Sequence, residues 1–173
     1  MLDKNLLLVD IGGTNIRYAY SNIGDSGFVS ENKAELDSLN DFDNLMSKLL
    51  AESDVKNIVF SVAGPKLNNS IKMTNRNFEI DADEVRKRFN LESCYLLNDW
   101  ESIGYSIRTF SENDFDNFRE GEPFNDTFLV IGPGTGLGAS VISGNNVIAT
   151  EIGNTNLGLS ALKSLLELNS DEF

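Results

Sequence analysis

The sequence predicts a mixed α/β protein whose main sheet is not purely parallel. Three features carry that expectation. A buried strand is followed at once by a returning strand over residues 5–20, helices separate further strands between residues 35 and 97, and a second strand–glycine loop–strand system occupies residues 128–150. At 173 residues, the chain suits one ordinary domain, or a small domain joined to part of another.

Residues 5–11 form a largely apolar run broken by Gly12-Gly13, and 16–20 alternate enough to return as the second strand of a hairpin. The polar stretch Asn22 to Gly27 reads as a turn. From Glu35 to Ser53, Leu36, Leu39, Phe42, Leu45, Met46, Leu49 and Leu50 recur at helical spacing and predict one amphipathic helix. Ile58 to Ala63 reads as a buried strand ended by Gly64-Pro65. Asp81 followed by Glu84 has the spacing of a capping box and opens a short helix reaching about Phe89.

Tyr95-Leu96-Leu97 is the next strand, ending in Asn98-Asp99, and Trp100 to Phe110 is compatible with a helix. Residues 111–126 are acidic and turn-rich and contain Pro123, which suits a junction between a first unit over 1–110 and a second beginning at 127. Strand Phe128 to Ile131, the loop Gly132 to Gly138, strand Ala139 to Ile142, the turn Gly144-Asn145-Asn146 and strand Val147 to Thr150 follow. Residues 158–168 suggest a terminal helix.

Composition narrows the chemistry. An apolar fraction of 40% and a charged fraction of 24% are ordinary for a globular chain. The net charge of −13, with no basic patch, repels polyanions, so neither a nucleic acid nor an anionic membrane is expected as a partner. Cys94 is the only cysteine and there is no histidine, which excludes an intrachain disulfide, a Cys/His zinc site and any histidine base. Acid–base work must fall to carboxylates. The opening Leu6-Leu7-Leu8-Val9 is too short for a signal core or membrane span, so a cytoplasmic protein is expected.

Two glycine hairpins, some 120 residues apart, are candidate phosphate sites. In the first, Asp10 ends a strand, Gly12-Gly13 turn, and Thr14 and Asn15 follow. Backbone N–H groups and the Thr14 hydroxyl can then approach a phosphate oxygen, and Asp10 can hold a hydrated Mg²⁺. A plain tight turn that needs positive φ is the competing explanation. The second, Gly132 to Gly138, contains Gly134, Thr135 and Gly136. It fits the loose dinucleotide pattern, but a strand follows where a helix should open, and no Gly-Lys-Ser/Thr is present.

Asn98-Asp99, at the carboxyl end of a strand, is the candidate catalytic pair. Asp99 there can accept a proton from an attacking hydroxyl while Asn98 orients the substrate. An Asp capping the next helix is the competing role.

In this order and spacing, Val9-Asp-Ile-Gly-Gly-Thr-Asn-Ile-Arg17, Met73-Thr74-Asn75, Leu97-Asn98-Asp99-Trp100, Gly132-Pro-Gly-Thr-Gly-Leu-Gly138 and Glu151-Ile-Gly-Asn154 resemble bacterial glucokinase, a hexokinase-like sugar kinase. The resemblance implies an actin-like ATPase (ribonuclease H-like) domain with a mixed sheet, joined to the first strands of a second such domain. It implies phosphorylation of a hexose, most simply glucose to glucose 6-phosphate, by ATP with Mg²⁺. Asp10, Gly12, Gly13, Thr14 and Asn15 correspond to the first phosphate hairpin, and Gly134, Thr135 and Gly136 to the second. Asn98, Glu151 and Asn75 correspond to sugar-side residues, and Asp99 to the base.

Asn154 stands where the family carries a sugar-binding histidine, so weaker hexose binding or another epimer is implied. The zinc-binding cysteines of the repressor-type sugar kinases are absent, which places the chain outside that branch. The family's chains are nearly twice as long, and the part beyond Phe173 supplies the adenosine-binding segment, so either a fragment or a naturally short relative is expected. A non-catalytic sugar-binding or regulatory relative is the alternative to an enzyme. A sheet left with an uncovered edge predicts a homodimer or other self-association.

Overall fold

Strand β1 (Leu6–Ile11) alternates as its sequence requires, with Leu7, Val9 and Ile11 buried on one face and Asp10 exposed on the other. A computed structural model describes residues 3–13, 15–35, 38–73, 79–119, 121–122, 125–133 and 137–150. Strand β2 (Asn15–Ser21) returns antiparallel to β1 and is itself flanked by β3 (Val29–Glu35). The expected turn at 22–27 therefore leads into a further strand. Its sequence, VSENKAE, has no apolar alternation and is almost wholly exposed. It pairs because β2 offers a free edge, and its charges suit an outermost strand.

Helix α1 (Leu39–Ala51) is shorter than the predicted 35–53. Glu35 belongs to β3, and the Ser38 side chain accepts the Asp41 N–H, starting the helix there. Phe42, Met46 and Leu49 point into the core, whereas Leu39 is largely exposed. Strand β4 (Asn57–Val62) runs parallel to β1. Phe60 meets Phe42 at a ring-centroid distance of 5.8 Å, and burying each ring contributes about 1.5–3 kcal/mol.

A small antiparallel sheet of β5 (Lys66–Leu67), β6 (Ser70–Lys72) and β7 (Glu79–Asp81), absent from the sequence prediction, follows. Its strands are too short to show a period, and Asn68 takes the positive φ of 56° that the tight turn needs. Asp81 then caps α2 (Ala82–Arg88) by accepting the Glu84 N–H, as its spacing predicts. Strand β8 (Ser93–Asn98) is parallel to β4, completing the order β3-β2-β1-β4-β8. Helix α3 (Asp99–Ser106) passes into a 3₁₀ turn over Ile107–Thr109, so the regular helix stops short of the predicted Phe110.

A second sheet contains β9 (Thr127–Pro133), β10 (Leu137–Ser143) and β11 (Asn146–Thr150), all antiparallel and in the order β11-β10-β9. The core cluster of the first sheet draws on residues from Leu7 to Leu96 and on none of this second sheet. Ser140, Ile142 and Val147 are buried instead on the face of β10 and β11 that packs on α3, and Ala139 is buried on the opposite face. Phe128, Leu129 and Ile131 of β9 are each more than half exposed. The predicted helix at 158–168 lies outside the described residues.

Candidate active site

Pairing in the first sheet places three chain exits side by side. Ile11 on β1 pairs with Val62 on β4, and Val62 pairs with Asn98 on β8, all at the carboxyl ends of parallel strands. The Gly12 turn, Ala63-Gly64 and Asn98-Asp99 therefore share one sheet edge, each about 5 Å from the next. The carboxyl ends of parallel strands are where open α/β sheets bind ligands, because the strand ends leave backbone groups and loops free to converge.

Asn98, and not Asp99, caps α3. The Asn98 Oδ1 accepts the N–H groups of Trp100 at 2.9 Å and Glu101 at 3.3 Å, and the Glu101 Oε2 accepts the Asn98 N–H at 3.1 Å in return. The Asn98 Nδ2 donates to the Gly64 carbonyl at 2.7 Å. Both Oδ1 lone pairs and one amide hydrogen are thus occupied, leaving one amide hydrogen on a side chain that is 4% exposed. Glu101 is itself buried and accepts from Lys66 Nζ at 3.0 and 3.2 Å. Neither Lys66 nor Glu101 was among the predicted site residues. The only sequence signal for the pair was the capping-box spacing from Asn98 to Glu101.

With Asn98 as the cap, Asp99 is the first residue of the helix and its carboxylate is only partly engaged, accepting the Trp100 N–H at 2.9 Å. Burial pushes its carboxyl above the ordinary 3.8, hydrogen bonds from the Trp100 and Asp99 backbone pull against that, and the nearby Asp10 charge pushes it up further. Asp10 is exposed, accepts the Ser61 hydroxyl at 3.2 Å and lies 3.7 Å from Arg17 across the hairpin. Among the described residues no group of three or more acidic, His or Cys side chains is arranged to hold a metal ion. A single open carboxylate fits a Mg²⁺ that keeps its waters and phosphate oxygens, and does not fit an all-protein cage.

The glycines divide by cause. Gly12 has no positive φ, and a Cβ added there would meet nothing nearer than the Asn15 oxygen at 3.7 Å. Among the described residues neither turn geometry nor packing demands that glycine, and its N–H donates to the Asn15 carbonyl at 3.0 Å. Gly64 differs, with a φ of 146° and a Cβ position 2.7 Å from the Lys72 oxygen. Gly13 and Asn15 join Gly12 at this edge, whereas Thr14, Asn75, Gly134, Thr135, Gly136, Glu151 and Asn154 lie outside the described residues. Cys94 is buried and its thiol is pushed up to about 12, chiefly by desolvation, so it is an inert core residue.

A sequence profile of the glucokinase family matches residues 7–165. A glucokinase of Nostoc punctiforme is 29% identical over 150 residues, which are 82% of this chain and 44% of that protein. The chain thus spans less than half the length of the curated relatives it matches. The crystal structure of a glucokinase from an Antarctic psychrotroph aligns with a TM-score of 0.70 and 23% identity over 96% of this chain and 56% of that one. A ROK family glucokinase from Streptomyces griseus, in complex with glucose and AMPPNP, aligns at 0.63 with 20% identity over 88% and 51% of the two chains. At that identity the likeness establishes the fold, that of the actin-like sugar kinases over about half their length.

The Lys66–Glu101 pair generates a prediction. Replacing Lys66 by Met leaves a buried carboxylate without its cation, so Lys66→Met should lower the unfolding free energy by about 1–3 kcal/mol in a urea titration, and Lys66→Arg should recover most of it. Equal stability of wild type and Lys66→Met would show that the cap does not depend on the pair.

Proposed function

The chain belongs to the glucokinase family, and on that premise we propose that it supplies the sugar side and the first phosphate hairpin of an ATP-dependent kinase converting glucose to glucose 6-phosphate. Asp99 is the base. The supporting observation is its place just past the Asn98 cap, with a partly engaged carboxylate whose affinity for protons is raised by burial. In this reading Asp99 takes the proton from the sugar's primary hydroxyl as that oxygen attacks the γ-phosphoryl group of ATP. Asn98 offers its remaining amide hydrogen to a sugar hydroxyl, and Asn75, Glu151 and Asn154 complete the sugar side.

Gly12, Gly13, Thr14 and Asn15 form one phosphate grip, and Gly134, Thr135 and Gly136 the other. The open space above Gly12 supports this assignment, since among the described residues nothing excludes a Cβ there. Mg²⁺, when bound, would neutralise phosphate charge, and Asp10 is the carboxylate to hold it. Residues 1–110 are assigned to a small domain, 111–126 to a junction and 127–173 to the start of a large one. A cytoplasmic setting accompanies the proposal, supported by a free, buried Cys94. Among the described residues no helix is long and apolar enough to cross a membrane.

The raised carboxyl of Asp99 has two consequences of opposite value. Activity requires the ionised form, so the acid limb of the kcat profile should lie above the ordinary 3.8 and move down when Asp10→Asn removes the neighbouring charge. Stability behaves in reverse, because the contribution of Asp99 is fully present below its unfolded value and is lost as pH rises through the raised one. Asp99→Asn should therefore be at least as stable as wild type at pH 7 while turnover falls by about 10²- to 10⁴-fold. Normal turnover in that variant would sink the assignment.

Gly12→Ala should change folding stability by less than about 1 kcal/mol. Its affinity for Mg-AMPPNP, measured by calorimetric titration of the intact protein, should nonetheless fall by about tenfold or more. Unchanged affinity would remove this hairpin from the nucleotide site.

Self-association is proposed from the exposed Phe128, Leu129 and Ile131 on the outermost strand of the second sheet. Sedimentation of the 173-residue chain should show dimers or larger species growing with concentration. A single monomeric species at high concentration would count against it.

A further inference from the structure

The face of α3 turned toward the second sheet carries a side chain that the proposed reaction does not use. Trp100 lies against Gly132 and Gly138, which are register partners on β9 and β10 and flank the second glycine loop. A Cβ added to Gly138 would stand 1.6 Å from the indole Nε1, and one added to Gly132 would stand 2.0 Å from Cη2. No L side chain fits either place. These two glycines are therefore required by the indole, which needs a flat slot on the paired strands. One turn along the helix, Gly104 makes a matching approach, its Cβ position being 2.5 Å from Val147 Cγ1 and 2.8 Å from the buried Ser140 Oγ.

The other end of Trp100 is tied to the candidate base. Its backbone N–H is shared between the Asn98 Oδ1 and the Asp99 Oδ1, both at 2.9 Å. One residue thus touches the Asp99 turn with its backbone and the base of the second hairpin with its ring. A rigid aromatic plate between two backbones transmits displacement, because close packing leaves it no room to slide.

We propose that Trp100 is a positioning residue that keys Gly132 and Gly138, where β9 and β10 pair, to the Asp99 turn, setting the spacing between those strand ends and the base. The proposal rests on the kinase reading above. Shape offers a rescue test, since a Phe ring lacks the far indole edge that meets Gly132.

In the intact protein, Gly132→Ala should raise the KM for ATP and weaken Mg-AMPPNP binding by about tenfold, with the KM for glucose held within about twofold. Trp100→Phe combined with Gly132→Ala should recover most of that loss. In the 173-residue chain, whose sole tryptophan is Trp100, Gly132→Ala should also shift the emission to the red as the ring leaves its slot. Trp100→Ala, which empties the slot without a clash, should reproduce the split between ATP and glucose.

A double variant no better than the product of the singles would overturn the proposal. So would a Trp100→Ala enzyme in which both KM values move together. Full turnover in Asp99→Asn would reject the base assignment, while the Mg-AMPPNP affinities of the cycle would still decide whether ring and hairpin are coupled.

Discussion

The cap of α3 is the interaction on which the site depends. A helix start leaves N–H groups without intrahelical partners, and here Asn98 and Glu101 satisfy them reciprocally. A side-chain cap of this kind contributes about 1 kcal/mol, and its geometric effect is larger than its energy. Because Asn98 takes the cap position at the end of β8, Asp99 falls on the first helical residue, with a carboxylate only partly engaged, by the Trp100 N–H. The Asn98 amide donates to the Gly64 carbonyl and the Lys66 ammonium donates to the Glu101 carboxylate, so the chain after β4 holds the turn after β8. Two neighbouring strand ends are locked into one platform.

The same platform relates two carboxylates of different environment. Asp10 and Asp99 come from strands β1 and β8 on either side of β4 at one sheet edge, and the Asp10 charge adds to the burial that makes Asp99 harder to ionise. Asp10 remains open beside Ser61 and Arg17. In the proposed kinase reading, an acidic protein of net charge −13 would hold phosphate at such an edge through backbone N–H groups and a cation, which supply a local field of the opposite sign. The overall charge governs what the rest of the surface repels.

Glycine has three separate uses within a short radius of this edge. At Gly64 it permits a backbone conformation and a close approach to Lys72; at Gly132 and Gly138 it makes room for an indole; at Gly12 nothing among the described residues requires it. The second glycine loop is therefore mixed in purpose, with its flanking glycines belonging to the packing of Trp100.

Local pattern was enough for the elements whose cause is local. The apolar run before Gly12-Gly13, the Asp81 cap, the stripe of Phe42, Met46 and Leu49, and the Asn98-Asp99 step from strand to helix each rest on neighbours within one or two turns of chain. The spacing of those motifs also identified the family that the profile match over residues 7–165 establishes. Tertiary structure decided what depends on partners distant in sequence. Strand β3 exists because β2 has an open edge, the short sheet of β5 to β7 has no period to read, and the locally written Asn98–Glu101 cap is held in place by Gly64 and Lys66 from a remote part of the chain. The reason is physical: hydrogen-bond caps and periodic faces are written in adjacent residues, whereas an edge, a shared carbonyl or a slot for an aromatic ring exists only after two remote segments have met.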